Sequence, residues 1–198
     1  MGYKRIQVQP LSPALGAEIG GVDLGQPLTD DTIAEIRRAF LEHLVIFFHD
    51  QSLTPEQYLR FARTMGEPCE YPFVAGLDGY PEITEVIKKE DERVNFGGIW
   101  HSDTTYLECP PMGTMLYARV LPTMGGDTLF ANMVMAYENL SPGMQRLLLG
   151  LTAVNSAEKD DAAATRVDRL RERPREAGAT ITVAEHPIVR SHPETGRK

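Results

Sequence analysis

His101 and Asp103 lie two positions apart in the run Trp100-His101-Ser102-Asp103-Thr104-Thr105-Tyr106, and on an extended strand residues at that spacing project to the same side. An imidazole and a carboxylate on one side are two of the three groups by which non-haem ferrous oxygenases hold their metal, the opposite face staying open for cosubstrate and oxygen. The spacing alone is weak, because a chain of 198 residues with five His and 28 acidic side chains produces a His-x-acid by chance. Taken by itself the pair reads more readily as two polar residues on a half-buried surface.

The flanks add specificity. Gly97-Gly98 precedes the motif, and Pro110-Pro111-Met112-Gly113-Thr114-Met115-Leu116-Tyr117 and then Gly125-Gly126-Asp127-Thr128-Leu129-Phe130 follow it. Upstream stand Leu15-Gly16-Ala17-Glu18-Ile19-Gly20-Gly21-Val22-Asp23-Leu24 and Val45-Ile46-Phe47-Phe48-His49-Asp50-Gln51. In this order the segments resemble the taurine dioxygenase family of iron(II)- and 2-oxoglutarate-dependent oxygenases, from about Leu11 to Lys198, and a series of ordered motifs is far more specific than one dipeptide spacing.

The resemblance implies that His101 and Asp103 are ligands of Fe(2+), that 2-oxoglutarate and O2 are cosubstrates, and that Thr128 helps to hold the distal carboxylate of 2-oxoglutarate. A hydroxyl suits that task because it donates one directed hydrogen bond to an anionic oxygen. Without the resemblance, Thr128 is a β-branched residue of the kind that packs well in strands. The implied fold is mainly β with flanking helices, a double-stranded β-helix or jelly roll. The implied reaction oxidises a small organic acid and releases succinate and CO2.

Asn95 matches an asparagine that contacts substrate in taurine-type enzymes, whereas the family's sulfonate-binding His falls on Tyr71. A Tyr donates one hydrogen bond or stacks on a ring, and it carries no positive charge at neutral pH. Taurine itself is therefore disfavoured. The expected substrate is another sulfonate, an aryloxyalkanoate or a related carboxylate, with Tyr71, Phe73, Asn95 and Tyr106 as pocket residues. Each also has a plainer reading, aromatic core packing or a loop-capping Asn.

Two groups that the resemblance calls for have no match here: a distal iron-ligand His, and an Arg that clamps 2-oxoglutarate. His43, His49, His186 and His192 do not match that His, and neither Arg190 nor Arg197 matches the clamp. The alternating run Ile188 to His192 leads into Pro193-Glu194-Thr195-Gly196, a turn composition. The expectation is a single dioxygenase domain over 1–198, its jelly roll incomplete at the C-terminus, truncated before the distal His and poorly stable unless another chain covers the open strand edge. A different class of reading is a catalytically incompetent remnant or binding module without a complete iron site. A third, a hydrolase using another metal ion, is allowed by His-x-Asp alone and disfavoured by Gly-Gly-Asp-Thr-Leu.

Composition bounds the remaining choices. A net charge of −8 and a pI near 5.2 disfavour nucleic acid, which needs a basic face. Cys69 and Cys109 are too few for a disulfide framework or zinc ribbon and are expected to be free, partly buried thiols. No stretch approaches a membrane span, Met1-Gly2-Tyr3-Lys4-Arg5 is not followed by an apolar signal region, and Ile6 stands where a myristoylation signal would want Ser or Thr. The expectation is a cytoplasmic protein with a small-molecule partner and no membrane or nucleic acid, a homo-oligomer staying open.

The elements that must position the motif are signalled unevenly. Asp30 or Asp31 caps a first helix with Ile33, Ile36, Phe40 and Leu44 on one face, and Leu44 to Phe48 is a buried strand. Thr54, Pro55 and Gln57 open a second helix with Leu59, Ala62 and Met65 inward and Gly66 beyond its end. The segment from Gly66 to Phe96 is loop-rich, with one strand at Ile83 to Ile87, and His101 and Thr128 sit on strands. Asn132 caps a helix to Leu140, Ser141-Pro142 opens another that buries Met144, Leu147 and Leu148, and Val154 lies on a strand. Residues 158–178 form a charged insertion. No internal repeat is visible.

Overall fold

A computed structural model of the protein describes residues 2–90, 97–157 and 183–198, so the charged insertion at 158–178 lies outside the described residues. Two compact units account for the contacts: Met1–Gly66 with Leu116–Leu151 and Ile188–Lys198, and Glu67–Met115 with Thr152–Pro187. No helix among the described residues is long and apolar enough to cross a membrane.

In the first unit, β1 (Gln7–Pro10) runs antiparallel to β2 (Ala17–Gly20), and β2 pairs parallel with β3 (Ile46–Phe47). Gly16, at φ +93°, takes the left-handed backbone that closes the connection from β1 to β2, where its carbonyl accepts from Leu11 N at 2.9 Å. Helix α1 spans Asp30–His43. Its cap is Thr29, whose hydroxyl accepts from Thr32 N, so Asp30 and Asp31 are the first helical residues and place negative charge at the positive end of the helix dipole. Leu44 ends the helix at φ +67° with its N–H on the Phe40 carbonyl. That backbone is incompatible with extension, which is why the expected strand from Leu44 to Phe48 shrinks to Ile46–Phe47, half-buried. The core of this unit is Ile36 and Ala39 of α1, fully buried, with Ala17, Ile19, Leu24, Leu53, Leu59 and Phe61.

Helix α2 (Pro55–Met65) follows its sequence signals closely. The Thr54 hydroxyl accepts from Gln57 N at 3.3 Å and the Gln57 side chain accepts from Thr54 N at 2.8 Å, a complete capping box. Its buried residues are Leu59 and Phe61, and Phe61 meets Phe48 edge to face at 5.6 Å. Asn132 and Ser141 cap α3 (Met133–Glu138) and α4 (Pro142–Leu148), both shorter than expected or level with it. Neither buries a residue, so Met144 and Leu147, expected inside, stay 43% and 59% exposed. The segment from Ile188 to His192 is not a strand; it leads into a turn in which His192 N donates to the Arg197 carbonyl. That turn is fastened to α1: Arg37 makes a two-pronged bridge to Glu194 (3.0 and 2.6 Å), and Arg197 donates to the Leu41 carbonyl at 2.6 Å.

In the second unit, β4 (Thr152–Ser156) pairs antiparallel with β5 (Val183–Pro187), with Val154 opposite Glu185. Residues Ile83 to Ile87 form no strand, because Leu77 N bonds the Ile83 carbonyl and Tyr80 N the Leu77 carbonyl, folding the chain into turns. Cys69 and Cys109 are free, and both are exposed rather than partly buried.

Thr54→Ala removes the hydroxyl side of the capping box and is expected to cost about 1 kcal/mol, read as a lower urea midpoint at unchanged slope. A second expectation concerns acid. The hydrogen bond from Arg37 holds Glu194 below the ordinary carboxylate range, and the hydrogen bond from Arg5 N, joined by those from Lys4 N and Ile6 N, does the same for Glu35. A depressed folded-state value stabilises the fold above the unfolded value of about 4.3 and loses that contribution as pH falls through the folded one. Glu194→Gln should therefore narrow the difference in urea midpoint between pH 6 and pH 3, and an unchanged difference would remove this link.

Candidate functional site

The Gly97 to Leu107 segment of the second unit carries the motif, and it is a turn rather than the expected strand. Thr104 stands at φ +51° and its carbonyl accepts from Leu107 N at 3.0 Å. On a strand, residues two apart have side chains about 7 Å from one another. Here His101 Nε2 lies 3.0 Å from Asp103 Oδ1, with both side chains about half exposed.

Which proton sits on the imidazole follows from its other nitrogen. His101 Nδ1 lies 2.7 Å from the Ile99 carbonyl, which only accepts, so Nδ1 carries the hydrogen and Nε2 is the nitrogen left to bind a cation. The Asp103 carboxylate is set in the same way: Oδ2 accepts from the Thr114 hydroxyl at 2.6 Å, and Oδ1 is the oxygen turned to His101. A nitrogen lone pair and a carboxylate oxygen at this distance repel unless a proton or a metal ion lies with them. Two ligands each about 2.1 Å from a divalent ion and at right angles are about 3.0 Å apart, which matches the observed separation. The donor set therefore fits two positions of a two-His, one-carboxylate iron site. Among the described residues no group of three His, Cys, Asp or Glu side chains is placed to hold a metal.

Gly97 approaches the imidazole closely. It has φ +71°, and a Cβ on it would stand 3.1 Å from His101 Cε1. Three of the expected pocket residues gather in the same unit: Phe73 meets Tyr71 at 5.7 Å and Tyr106 at 5.3 Å, both edge to face. Tyr106 is buried, and Tyr71 and Phe73 are half-buried. Asn95 lies outside the described residues. Thr128 belongs to the first unit, exposed, in a segment without the strand expected for it.

The other histidines have local tasks. His186 Nε2 donates to the Leu107 carbonyl at 3.0 Å, and His192 Nδ1 accepts from Glu194 N and Thr195 N to close its turn. His49 Nε2 faces Glu18 Oε1 at 3.3 Å, and His43 Nε2 lies 4.0 Å from Glu42 Oε1. Sequence reasoning missed Thr114, the Ile99 carbonyl and Gly97 as parts of the site. The glycine pair beside the motif was visible, but nothing in a Pro-Pro-Met-Gly-Thr run tells that its hydroxyl meets a carboxylate eleven residues back.

The model of the family described as taurine catabolism dioxygenase TauD, TfdA matches residues 7–198. An alpha-ketoglutarate-dependent sulfate ester dioxygenase of Pseudomonas putida is 36% identical over 197 residues, which are 98% of this chain and 64% of that protein. An alkylsulfatase of Acinetobacter baylyi is 34% identical over 202 residues, 98% of this chain and 62% of its own length. This chain thus spans less than two thirds of the length of these relatives. The crystal structure of a taurine dioxygenase from Burkholderia xenovorans superimposes with a TM-score of 0.74 at 34% identity, covering 98% of this chain and 62% of that one.

Gly97→Ala forces an L side chain into left-handed backbone, at about 1–2 kcal/mol, and presses a methyl against the imidazole. The ring resonances of His101 should move in the NMR spectrum of this variant while those of His43 and His49, in the other unit, stay in place. Unmoved His101 signals would mean that the glycine does not seat the ring.

Proposed function

Because the chain belongs to the taurine catabolism dioxygenase (TauD, TfdA) family, we propose that it supplies the His-x-Asp part of a ferrous-iron- and 2-oxoglutarate-dependent dioxygenase acting on a small organic anion, with release of succinate and CO2. The observation that carries this reading is the juxtaposition of His101 Nε2 and Asp103 Oδ1 at 3.0 Å, with the tautomer already chosen by Ile99. Iron bound there would supply the oxygen activation that side chains cannot. The family pattern calls for a further His as third ligand, a role that His43, His49, His186 and His192 do not match. The fold to which the described sheets and helices contribute is the double-stranded β-helix.

The protein's own residues bind and orient. His101 and Asp103 would hold the ion, by Nε2 and Oδ1. By the family resemblance the Thr128 hydroxyl would donate to the distal carboxylate of 2-oxoglutarate. Tyr71, Phe73 and Tyr106 present ring edges and faces to the apolar part of the substrate and keep water from it, and Asn95 contributes an amide. A chain of net charge −8 offers an anion no general attraction, so its charged group must be met by a few local donors. Two relatives named for sulfate esters add alkyl sulfates to the candidates alongside sulfonates, aryloxyalkanoates and related carboxylates.

A second reading, a remnant that binds no iron, is favoured by one observation: among the described residues His101 and Asp103 gain no third ligand. Succinate formation separates the two. Given Fe(II), 2-oxoglutarate and oxygen with a panel of alkyl sulfates, alkanesulfonates and phenoxyalkanoates, the native protein should form succinate, and His101→Ala should fall to the level seen without iron. No succinate with any member would favour the remnant. Undiminished turnover in His101→Ala would end the assignment of the ligand.

A further inference from the structure

Asp103 has two chemically equivalent oxygens, and its carboxylate is about half exposed to solvent. Nothing intrinsic to such a group decides which oxygen faces His101, because the terminal torsion of an Asp side chain is broad and roughly two-fold. The structure breaks that symmetry with a single atom. The Thr114 hydroxyl lies 2.6 Å from Oδ2, within the range of a hydrogen bond from a hydroxyl to an ionised carboxylate. A hydroxyl has one proton to give, and this one is committed to the oxygen that turns away from His101. The β-branch of Thr restricts the first side-chain torsion and so holds the hydroxyl in place.

Resting on the iron reading above, we infer that Thr114 is a positioning residue of the metal site: it presents Oδ1 of Asp103 as the single ligand oxygen and keeps Oδ2 out of the coordination sphere. Carboxylates bind hard divalent ions through one oxygen or through two. An Oδ2 engaged by Thr114 is a poorer second donor, so a coordination position that a two-oxygen clasp would fill stays available to cosubstrate. Partners of this kind, one step removed from the metal, change its affinity by about 10–100-fold when removed. Thr114 does not touch substrate or the reacting atoms in this scheme.

The test uses the complete native protein with Co(II) as the probe, read by its visible absorption under anaerobic conditions. Wild type, His101→Ala, Thr114→Val, Thr114→Ala and Thr114→Ser are titrated side by side, with thermal melts of the metal-free proteins. Thr114→Val and Thr114→Ala should each bind about tenfold or more weakly and show an altered absorption band. Thr114→Ser should restore both affinity and band, and the metal-free melts should coincide. A purely structural hydroxyl would lower the melts of Val and Ala without changing the band, which overturns the inference. So would Thr114→Val and Thr114→Ala that bind as wild type does while His101→Ala does not. If wild type and His101→Ala take up Co(II) alike, the iron reading fails first, and this inference falls with it.

Discussion

The hydrogen bond from His101 Nδ1 to the Ile99 carbonyl leaves the imidazole one nitrogen for anything else. That constraint organises the candidate site. It leaves Nε2 facing Asp103 Oδ1 at 3.0 Å, where a proton or a metal ion lying with the two groups is favourable. Gly97 provides the left-handed turn that lets the backbone come up against the ring, and Thr114 settles the carboxylate that faces it. None of these three contributions is itself a ligand. Each fixes a choice, of tautomer, of ring position or of oxygen, that the side chains of a bare His-x-Asp would leave open.

The parts of the molecule that could be read in its sequence are those whose causes lie within a few residues. Helix α2 is the clearest: cap, Pro55, Gln57 and Gly66 all act over one turn of chain, and all appear where the pattern puts them. The approach of His101 and Asp103 to one side was legible too, but for the wrong reason. The pair converges off any strand, just before a turn that opens at Thr104, and a non-glycine residue in left-handed backbone leaves no mark in the sequence. Burial was misread where it depends on distant partners. The apolar spacing of α4 is real, yet Met144 and Leu147 remain open, because a stripe of apolar residues says which face wants cover and not what covers it.

The aromatic residues show how one group of atoms can satisfy both plain and functional readings. Edge-to-face contacts of Phe73 with Tyr71 and Tyr106 are ordinary packing geometry, and they bury Tyr106. The same packing locks rings that would otherwise rotate freely, so a substrate meeting them would meet a fixed surface. Packing and recognition are thus compatible here, and the Tyr at position 71 brings a ring and a hydroxyl but no positive charge to this surface.

The fastening of Glu194 and Arg197 to α1 has a consequence for how the chain acquires its structure. Arg37 and Glu194 are 157 positions apart, and the first unit is assembled from three stretches that the second unit's residues interrupt. A ribosome releases α1 early and its last partners late, so the helix waits for them through the synthesis of most of the molecule. Contacts of such long range close slowly. The apolar partners of α1, from Ala17 to Phe61, are made before it or soon after it, so what waits for the last-made residues is a polar clasp on a helix whose buried face is already covered.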